Sequence, residues 1–441
     1  MVRGEYMAMR VFSVFRKPSL VVINIAAFVA GSLAGISANV FCGGTDFFDA
    51  AVEIVSPFGA LLVAMLKTIV VPIIFFSLIS GASSLPIKKF GKLGAKILLF
   101  YFSTSVLATL IGVASASAFS PTVADPSGSA APLMAQVDSV KSSFSSSGGG
   151  LVSEMLLGAF VNPFQALSES RFLAVIVFSI LFGLAARAII ESGAKAEAES
   201  VKKMLSLFGA IEKSVFKIVG WLMYYFPLGI FSLTFVNFAV YGAGLFGSYA
   251  EIALCVIFGI LLMITLVYPA IIFIFCRENP YAVLYKMRAP IITAFATRSS
   301  AATLPVSLEN AASALRIRPE VSGFALSLGA TINMDGVCLH LPVFVILAAG
   351  IFGFDITAAQ MILVVASVVF VSIGVGGVPG GSIFLLFMVL DVLKLGPAQT
   401  STIVALALGI NPLLDMFETA CNVAGDNVGN YVVAKRSGMI N

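Results

Sequence analysis

The chain has 441 residues, of which 59% are hydrophobic and only 11% are charged. Ordinary soluble domains carry about 45–50% apolar and about 25% charged residues, so this composition excludes a soluble globular protein and indicates a polytopic membrane protein. The net charge of +4 is small and gives no indication of a nucleic-acid partner. The five cysteines lie far apart without CxxC spacing, so we expect small buried residues and no cofactor.

Six hydrophobic segments in the first two thirds of the chain are long enough to cross a membrane, which takes roughly 20 residues. They lie near residues 19–41, 51–81, 94–119, 172–190, 206–237 and 249–276. The first follows four basic residues and is longer than the core of a signal peptide, so we predict that it is a retained span.

Basic residues follow the second, fourth and sixth hydrophobic segments. Because Lys and Arg near membrane ends are enriched on the cytoplasmic side, this alternation predicts that these loops and the N-terminus are cytoplasmic. The last hydrophobic segment runs to Lys435 and Arg436, which places the C-terminus on the same side. Residues 120–150, rich in Ser, Gly and Ala, are predicted to form a flexible external loop.

Two later hydrophobic segments, 290–315 and 355–390, are interrupted in the middle. The first break is Arg298-Ser299-Ser300, and the second is the glycine-rich stretch 374–381, where Gly and Pro disfavour a continuous helix. Each segment is followed by a span with a polar interruption of its own. Paired broken segments of this kind are typical of transporters built from inverted repeats, so we predict that both are re-entrant hairpins.

The sequence Ala-Thr-Ile-Asn-Met-Asp-Gly at 330–336 crowds a hydroxyl, an amide and a carboxylate into five positions of a hydrophobic span. Small hard cations prefer oxygen ligands, and unwound backbone adds carbonyl oxygens. These residues therefore predict a cation site. The alternative is that the polar side chains are hydrogen-bonded only to neighbouring helices.

The last span places five polar residues along one helical face at spacings of three and four: Asp415, Glu418, Thr419, Asn422 and Asp426. Carboxylates inside a bilayer are costly and need partners or water, so this face is predicted to line a cavity. Contact with other helices alone is the alternative. Asp415 suits the ammonium group of an amino acid, and Asn422 with Asp426 suits a second cation.

The first break offers Ser299 and Ser300 hydroxyls and backbone amides for a carboxylate, much as helix N-termini bind anions. The glycine-rich tip at 372–382 is predicted to close over a solute, although close helix packing also uses glycine. The simplest interpretation of Tyr101, Thr104 and Ser105 is that their hydroxyls form hydrogen bonds within their own helix.

His340, the only histidine, lies among apolar residues and is predicted to be structural. No catalytic triad can be assembled, and we predict that the protein is not an enzyme.

Four motifs then occur in a recognisable order and spacing, namely Ser299-Ser300 with Thr303-Leu304-Pro305, Asn333-Met334-Asp335-Gly336, Gly377-Val378-Pro379-Gly380 and Asn422-Val423-Ala424-Gly425-Asp426. From the first span to the last, the chain resembles the dicarboxylate/amino acid:cation symporter family, the glutamate transporter homologues. The resemblance implies an all-α fold of eight transmembrane helices and two re-entrant hairpins, in a homotrimer. It also implies a location in the cell's inner, cytoplasmic membrane.

The resemblance further implies that the chain is divided into two structural units. Residues 1–92 (spans one and two) and 151–247 (spans four and five) would form a scaffold. Residues 93–119 (span three) and 248–441 (span six, first hairpin, span seven, second hairpin, span eight) would form a transport unit that slides like an elevator. Residues 120–150 would be the external loop between them.

The family's site residues carry over by motif. The positions that match sodium ligands are Tyr101, Thr104, Ser105, Gly329, Thr331, Asn333, Asp335, Ser372, Ile373, Asn422 and Asp426, with Gly329 and Ile373 acting through backbone carbonyls. The positions that match substrate contacts are Arg298, Ser300, Val378, Gly380, Asp415, Thr419 and Asn422, to which we add Ser299 and Glu418.

Glu418 stands where family members that carry acidic substrates typically place an arginine, and Asn411 where related members can carry an acid. A carboxylate there would repel an acidic substrate unless it is protonated or neutralised by Arg298. Asp415 is then free to bind the α-amino group. We therefore expect sodium-coupled symport of an amino acid whose side chain is neutral or donates hydrogen bonds, with a cationic side chain as an alternative.

The alternatives are a sodium- or proton-coupled symporter of glutamate, aspartate or C4-dicarboxylates, an intramembrane aspartyl protease, and a channel. The protease is disfavoured because residues 423–426 lack the first glycine of its GxGD pattern. A channel would leave the occluding hairpins without a purpose.

Overall fold

The computed structural model describes residues 20–83, 87–121, 157–158, 160–169, 171–353, 355–373, 380–393 and 395–440. These residues are almost entirely helical, and an isolated bridge joins Ile317 to Ile440. Within them, eight helical segments are long and apolar enough to cross a membrane, which confirms the predicted all-helical membrane class. The second break at 374–379 and most of the predicted external loop lie outside the described residues.

The first half contains long helices and one short one. Their bounds are α1 Leu20–Cys42, α2 Asp46–Ser83, α3 Ile87–Phe119, α4 Pro163–Ser168, α5 Phe172–Glu191 and α6 Lys195–Tyr241. Every hydrophobic segment predicted in this part lies within one of these helices, except that residue 19 lies outside the described residues. The helices extend past the predicted bounds because their polar ends continue beyond the apolar core that hydropathy detects.

The second half consists of shorter helices with more interruptions between them. Its helices are α7 Leu245–Leu262, a π-helical turn Met263–Val267, α8 Tyr268–Cys276, α9 Pro280–Lys286, α10 Arg288–Thr297, α11 Ser300–Ser313, α12 Pro319–Ile332, α13 Asp335–Phe352, α14 Ala358–Ser372, α15 Gly381–Asp391 and α16 Pro397–Arg436. The breaks between α10 and α11 and between α12 and α13 fall within the two polar interruptions that the sequence indicated.

The break between α10 and α11 has a clear local cause. Arg298 adopts a left-handed conformation, with φ of 55°, which ends α10. Ser299 then begins α11, because its hydroxyl accepts a hydrogen bond of 3.2 Å from the amide of Ala302. Two helices therefore meet at a polar tip.

The core surrounds α13 and α16. In the hydrophobic part of the segment Pro319–Phe352, 83% of the residues are buried, compared with 17% in α1. Helix α13 packs along α3, and α16 packs against α10, α12 and α13. The polar breaks of the second half are thus positioned around two long helices that are largely enclosed by other described parts of the chain.

The first half packs through small residues. Helix α6 lies along both α1 and α2. A Cβ atom on Gly35 of α1 would lie 2.4 Å from the carbonyl oxygen of Phe235, and one on Gly229 of α6 would lie 2.4 Å from Leu62 Cδ2. Close backbone approach at small residues is a common way for membrane helices to associate.

We predict that Gly35→Ala destabilises the protein by about 1–3 kcal/mol, because the added methyl group overlaps the backbone of α6. Thermal unfolding in detergent measures the effect. The matched control is Gly209→Ala on α6, where a Cβ meets no atom within 4 Å of its position. Equal melting temperatures for the two variants would show that α1 and α6 do not approach this closely.

Candidate functional site

The polar face of α16 points into the protein. Asp415, Glu418, Thr419, Asn422 and Asp426 are each 5% exposed or less. A buried carboxylate needs a hydrogen-bond or charge partner, so the neighbours of these side chains define what the site can do. Two groups of contacts are present, one around Asp335 and Asp426 and one around Asp415 and Glu418.

Asp335 begins α13 immediately after the break, and it is fully buried. Its Oδ1 accepts a hydrogen bond of 3.1 Å from Ser105 on α3. Its Oδ2 accepts one of 2.7 Å from the hydroxyl of Tyr268 at the start of α8. Ser105 is therefore turned to another helix, so the simplest interpretation of its hydroxyl, bonding within α3, is wrong.

Asn333 occupies the break itself and joins two other elements. Its Nδ2 donates a hydrogen bond of 3.0 Å to Asp426 Oδ1 on α16. Its Oδ1 lies 3.3 Å from the hydroxyl of Thr104, which is also 3.1 Å from the carbonyl oxygen of Tyr101. We call Thr104, Ser105, Asn333, Asp335 and Asp426 the acidic cluster.

Of the other predicted sodium positions, Tyr101 and Gly329 are hydrogen-bonded to the acidic cluster through their carbonyls, which accept from the Thr104 hydroxyl at 3.1 Å and from the Asn333 amide at 2.9 Å. The Tyr101, Thr331 and Ser372 hydroxyls donate to the carbonyls of Ala325, Leu328 and Val369 respectively. Gly329 does contact the cluster closely, because a Cβ there would lie 2.5 Å from Asp426 Oδ1. Ile373 lies at the end of α14.

The Asp415 carboxylate is paired with Arg298. Arg298 Nε and Nη2 each lie 2.7 Å from Asp415 Oδ2, and the backbone amide of Gly380 donates to the same oxygen at 3.0 Å. The expectation that Asp415 is free is therefore wrong for this structure, and Arg298, one of the two suggested means of neutralising Glu418, is paired with Asp415 instead. Arg298 is 4% exposed and needs a counter-charge. Asp415 and Glu418 lie one helical turn apart, and sequence spacing does not reveal which of the two carboxylates pairs with Arg298.

Glu418 is instead paired with His340 of α13. Glu418 Oε1 lies 2.5 Å from His340 Nδ1, and both residues are 1% exposed. None of the four polar side-chain atoms of the two residues has a hydrogen-bond partner among the described residues, so this contact is a close approach without hydrogen-bond geometry. His340 therefore belongs to the site rather than being only structural. The sequence gives little indication of this role, because His340 and Glu418 lie on helices that are far apart along the chain.

A small cavity adjoins both pairs. Its volume is about 10 Å³, room for about one water molecule. Ten residues line it: Arg298, Ser300, Met334, Val337, Gly381, Ser382, Asp415, Glu418, Thr419 and Asn422. Six of them are predicted substrate positions. Ser299 acts as the helix cap described above, and Val378 lies outside the described residues.

Asn422 links the cavity to the acidic cluster. Its Oδ1 accepts a hydrogen bond of 2.7 Å from the amide of Gly336, the residue after Asp335, and its Nδ2 lies 3.3 Å from Met334 Sδ. The sequence placed Asn422 among both the sodium and the substrate positions, but it did not predict this hydrogen bond, and it missed Tyr268, Met334, Val337 and Ser382.

The comparison with known families decides the class of the protein. The model of the sodium:dicarboxylate symporter family matches residues 20–436. The chain belongs to this family. Its relatives are transporters, so the protein is a transporter and not an enzyme.

Curated relatives cover different substrates. A neutral amino acid transporter B(0) from Mus musculus is 30% identical, over 95% of this chain and 81% of the relative. A serine/threonine transporter SstT from Bifidobacterium adolescentis is 29% identical, over 84% and 82%. A proton/glutamate-aspartate symporter from Escherichia coli is 28% identical, over 93% and 91%.

We predict that Arg298→Ala destabilises the protein by about 3–5 kcal/mol, because it leaves the Asp415 carboxylate buried without a counter-charge. The double variant Arg298→Met, Asp415→Leu should lose less than the sum of the two single changes, because neither charge is then left alone. Unfolding in detergent gives both values.

The control for this pair is Lys203→Ala, which breaks the exposed ion pair with Glu199 and should leave stability unchanged. Strict additivity of Arg298→Met and Asp415→Leu would contradict a direct interaction between the two charges.

Proposed function

We propose that the protein is a secondary active transporter that couples sodium entry to the uptake of a neutral amino acid. Symport of an amino acid or dicarboxylate is the activity that its family supports. The observation that carries the narrower proposal is the pairing of Glu418 with His340 beside a cavity that also contains Arg298 and Asp415. Arg298 and Asp415 thus provide one positive and one negative charge for the two charged groups of a zwitterionic amino acid. No further positive charge is left to bind a substrate with an acidic side chain.

The acidic cluster is the proposed sodium site. It brings two carboxylates, an amide and two hydroxyls from α3, the break, α13 and α16 into one buried region. No Lys, Arg or His in the described ranges forms an ion pair with Asp335 or Asp426. Oxygen-rich, negatively charged sites suit small hard cations, and a bound sodium would balance this charge.

The backbone of an amino acid would occupy the Arg298–Asp415 pair. Its α-carboxylate matches the guanidinium of Arg298 and the nearby Ser300, and its α-ammonium matches the carboxylate of Asp415. Substrate binding would then replace one buried ion pair by two, so neither Arg298 nor Asp415 would lose its counter-charge. This exchange explains why the two residues contact each other in a cavity too small for an amino acid.

The side chain of the substrate would face Glu418. His340 Nδ1 lies 2.5 Å from Oε1, but neither Oε1 nor Oε2 has a hydrogen-bond partner among the described residues. An unsatisfied buried acceptor favours a ligand that donates a hydrogen bond, such as a hydroxyl or a carboxamide group. Serine, threonine, asparagine and glutamine fit this chemistry, and two of the relatives are named for neutral or hydroxyl amino acids.

A glutamate, aspartate or C4-dicarboxylate symporter is the second candidate, favoured by the relative from Escherichia coli, whose name includes proton coupling. It requires a protonated Glu418, since an ionised carboxylate would repel the acidic side chain at short range.

The movement we propose is an elevator. In this proposal α10–α11 and α14–α15 are re-entrant hairpins and, with α3, α7–α8, α12–α13 and α16, form the mobile unit within a homotrimer in the inner membrane. Both termini are cytoplasmic. The cavity of about 10 Å³ supports a conformational change, because a substrate can enter only after Arg298 and Gly380 move away from Asp415 of α16.

We predict that proteoliposomes with an inward sodium gradient take up serine, threonine, asparagine or glutamine in preference to aspartate and succinate. Glu418→Arg should shift the preference towards aspartate by at least about tenfold, because a guanidinium replaces a carboxylate. Radiolabelled uptake of the full panel, including arginine, measures both. Glu418→Gln is the control of similar shape, and wild-type preference for aspartate or a dicarboxylate would refute the neutral substrate.

We predict that Asp335→Asn raises the sodium concentration for half-maximal uptake at least about tenfold, because a ligand charge is removed from the buried site. Uptake measured against sodium concentration tests this. Asp355→Asn, an exposed residue outside the acidic cluster, is the matched control and should behave as wild type. Equal sodium dependence in both variants would place the sodium site elsewhere.

A further inference from the structure

An apolar groove opens on the outer face of the second half, between α3, α8 and α16. Its volume is about 500 Å³. Its walls are mainly aliphatic and aromatic side chains, among them Leu99, Leu107, Ile271, Phe275 and Val433. Leu99 is 67% and Phe275 49% exposed, so these side chains are not covered by any described part of the chain.

One end of this groove carries two cations. Lys96 of α3 and Arg436 at the end of α16 both line it, and both are exposed. Within the described part of the chain neither forms an ion pair. A second cavity of about 720 Å³ shares Phe275 and Arg436 with the groove and is also lined by Arg277 and Lys435. The groove therefore has an apolar body and a positively charged end.

The acidic residue near this end does not cancel its charge. Glu278 lies 2.5 Å from Lys435 and accepts a hydrogen bond from Tyr431. The hydrogen bonds from Lys435 and Tyr431 hold the pKa of Glu278 below its usual range. Glu278 thus neutralises Lys435 and leaves Lys96, Arg277 and Arg436 as uncompensated positive charges.

The groove has the length of one leaflet. Lys96 and Leu107 are eleven residues apart on α3, which at about 1.5 Å per residue is roughly 16 Å. The hydrocarbon core of a bilayer is about 30 Å thick, so half of it is about 15 Å. An acyl chain whose headgroup meets Lys96 would therefore end near Leu107, close to the bilayer centre.

We propose that this groove is a binding site for an anionic phospholipid. The phosphate of the headgroup contacts Lys96 and Arg436, and one acyl chain lies along Leu99, Phe275 and Leu107. Cations near the headgroup region attract anionic lipids, and exposed aromatic and aliphatic walls favour the chain. Thr104 also lines the groove, so the bound chain packs directly behind the acidic cluster.

The test uses lipid binding and no transport assay, so its outcome is independent of the proposed transport function. The full chain contains a single tryptophan, Trp221 on α6. In a Trp221→Phe background, Phe275→Trp places an indole in the groove. The protein is reconstituted in phosphatidylcholine, and the indole fluorescence is measured as brominated phosphatidylglycerol or brominated phosphatidylcholine with identical acyl chains is added.

We expect phosphatidylglycerol to be preferred by about thirtyfold, or about fivefold for each of the two cations. Lys96→Ala and Arg436→Ala should each lower the preference by about fivefold, and Lys202→Ala, an exposed lysine at the start of α6, should not. Equal quenching by the two lipids would overturn the proposal, because the groove would then take bulk lipid only. A preference that survives the Lys96→Ala, Arg436→Ala double variant would overturn it too.

A second measurement covers the case in which Phe275→Trp does not fold. Native mass spectrometry of the unmodified chain, released from an equal mixture of the two lipids, counts the phosphatidylglycerol that is retained. Retention that falls in the Lys96→Ala, Arg436→Ala variant but not in Lys202→Ala supports the site. Retention that is unchanged in the double variant contradicts it.

Discussion

Charge buried in a bilayer must find its partner inside the protein, and the second half of this molecule is organised by that constraint. Water is absent from the hydrocarbon core, so every buried carboxylate needs a hydrogen-bond donor or a cation. Asp335 is held by two hydroxyls, Asp426 by an amide, Asp415 by a guanidinium and Glu418 by an imidazole. These partners come from α3, α8, α13, the break between α10 and α11 and the break before α13. Helix breaks that would weaken an ordinary membrane helix are therefore what brings the donors to α16.

Local sequence patterns predicted a large part of this arrangement. Hydropathy located the helices, because a span needs a long apolar run, and spacings of three and four located the polar face of α16. The polar interruptions located the breaks at Arg298 and Asn333. The pairings between helices were not predictable, because spacing along one helix carries no information about the register of its neighbours. Arg298 was accordingly suggested as a means of neutralising Glu418 and not as the partner of Asp415, and His340 and Tyr268 were not assigned to the site.

The acidic cluster and the cavity are one connected structure. Asn333 contacts Asp426, and Asn422, which lines the cavity, accepts a hydrogen bond from the amide next to Asp335. A cation at Asp335 and an amino acid at Asp415 would thus share the break between α12 and α13 and the polar face of α16. If each ligand favours the same arrangement of these elements, their binding is coupled, and the coupling free energy is the same in both directions. Coupled binding of this kind is what a symporter requires.

We propose that the buried acidic cluster and the cavity bind a cation and an amino acid interdependently. The most direct test is calorimetric titration of serine into the purified protein in sodium chloride and in choline chloride at equal ionic strength. We expect sodium to tighten serine binding at least about tenfold, or about 1.4 kcal/mol, and serine to tighten sodium binding by the same factor. Identical serine affinities in the two salts would contradict it, because the two regions would then bind independently despite their shared helix and break.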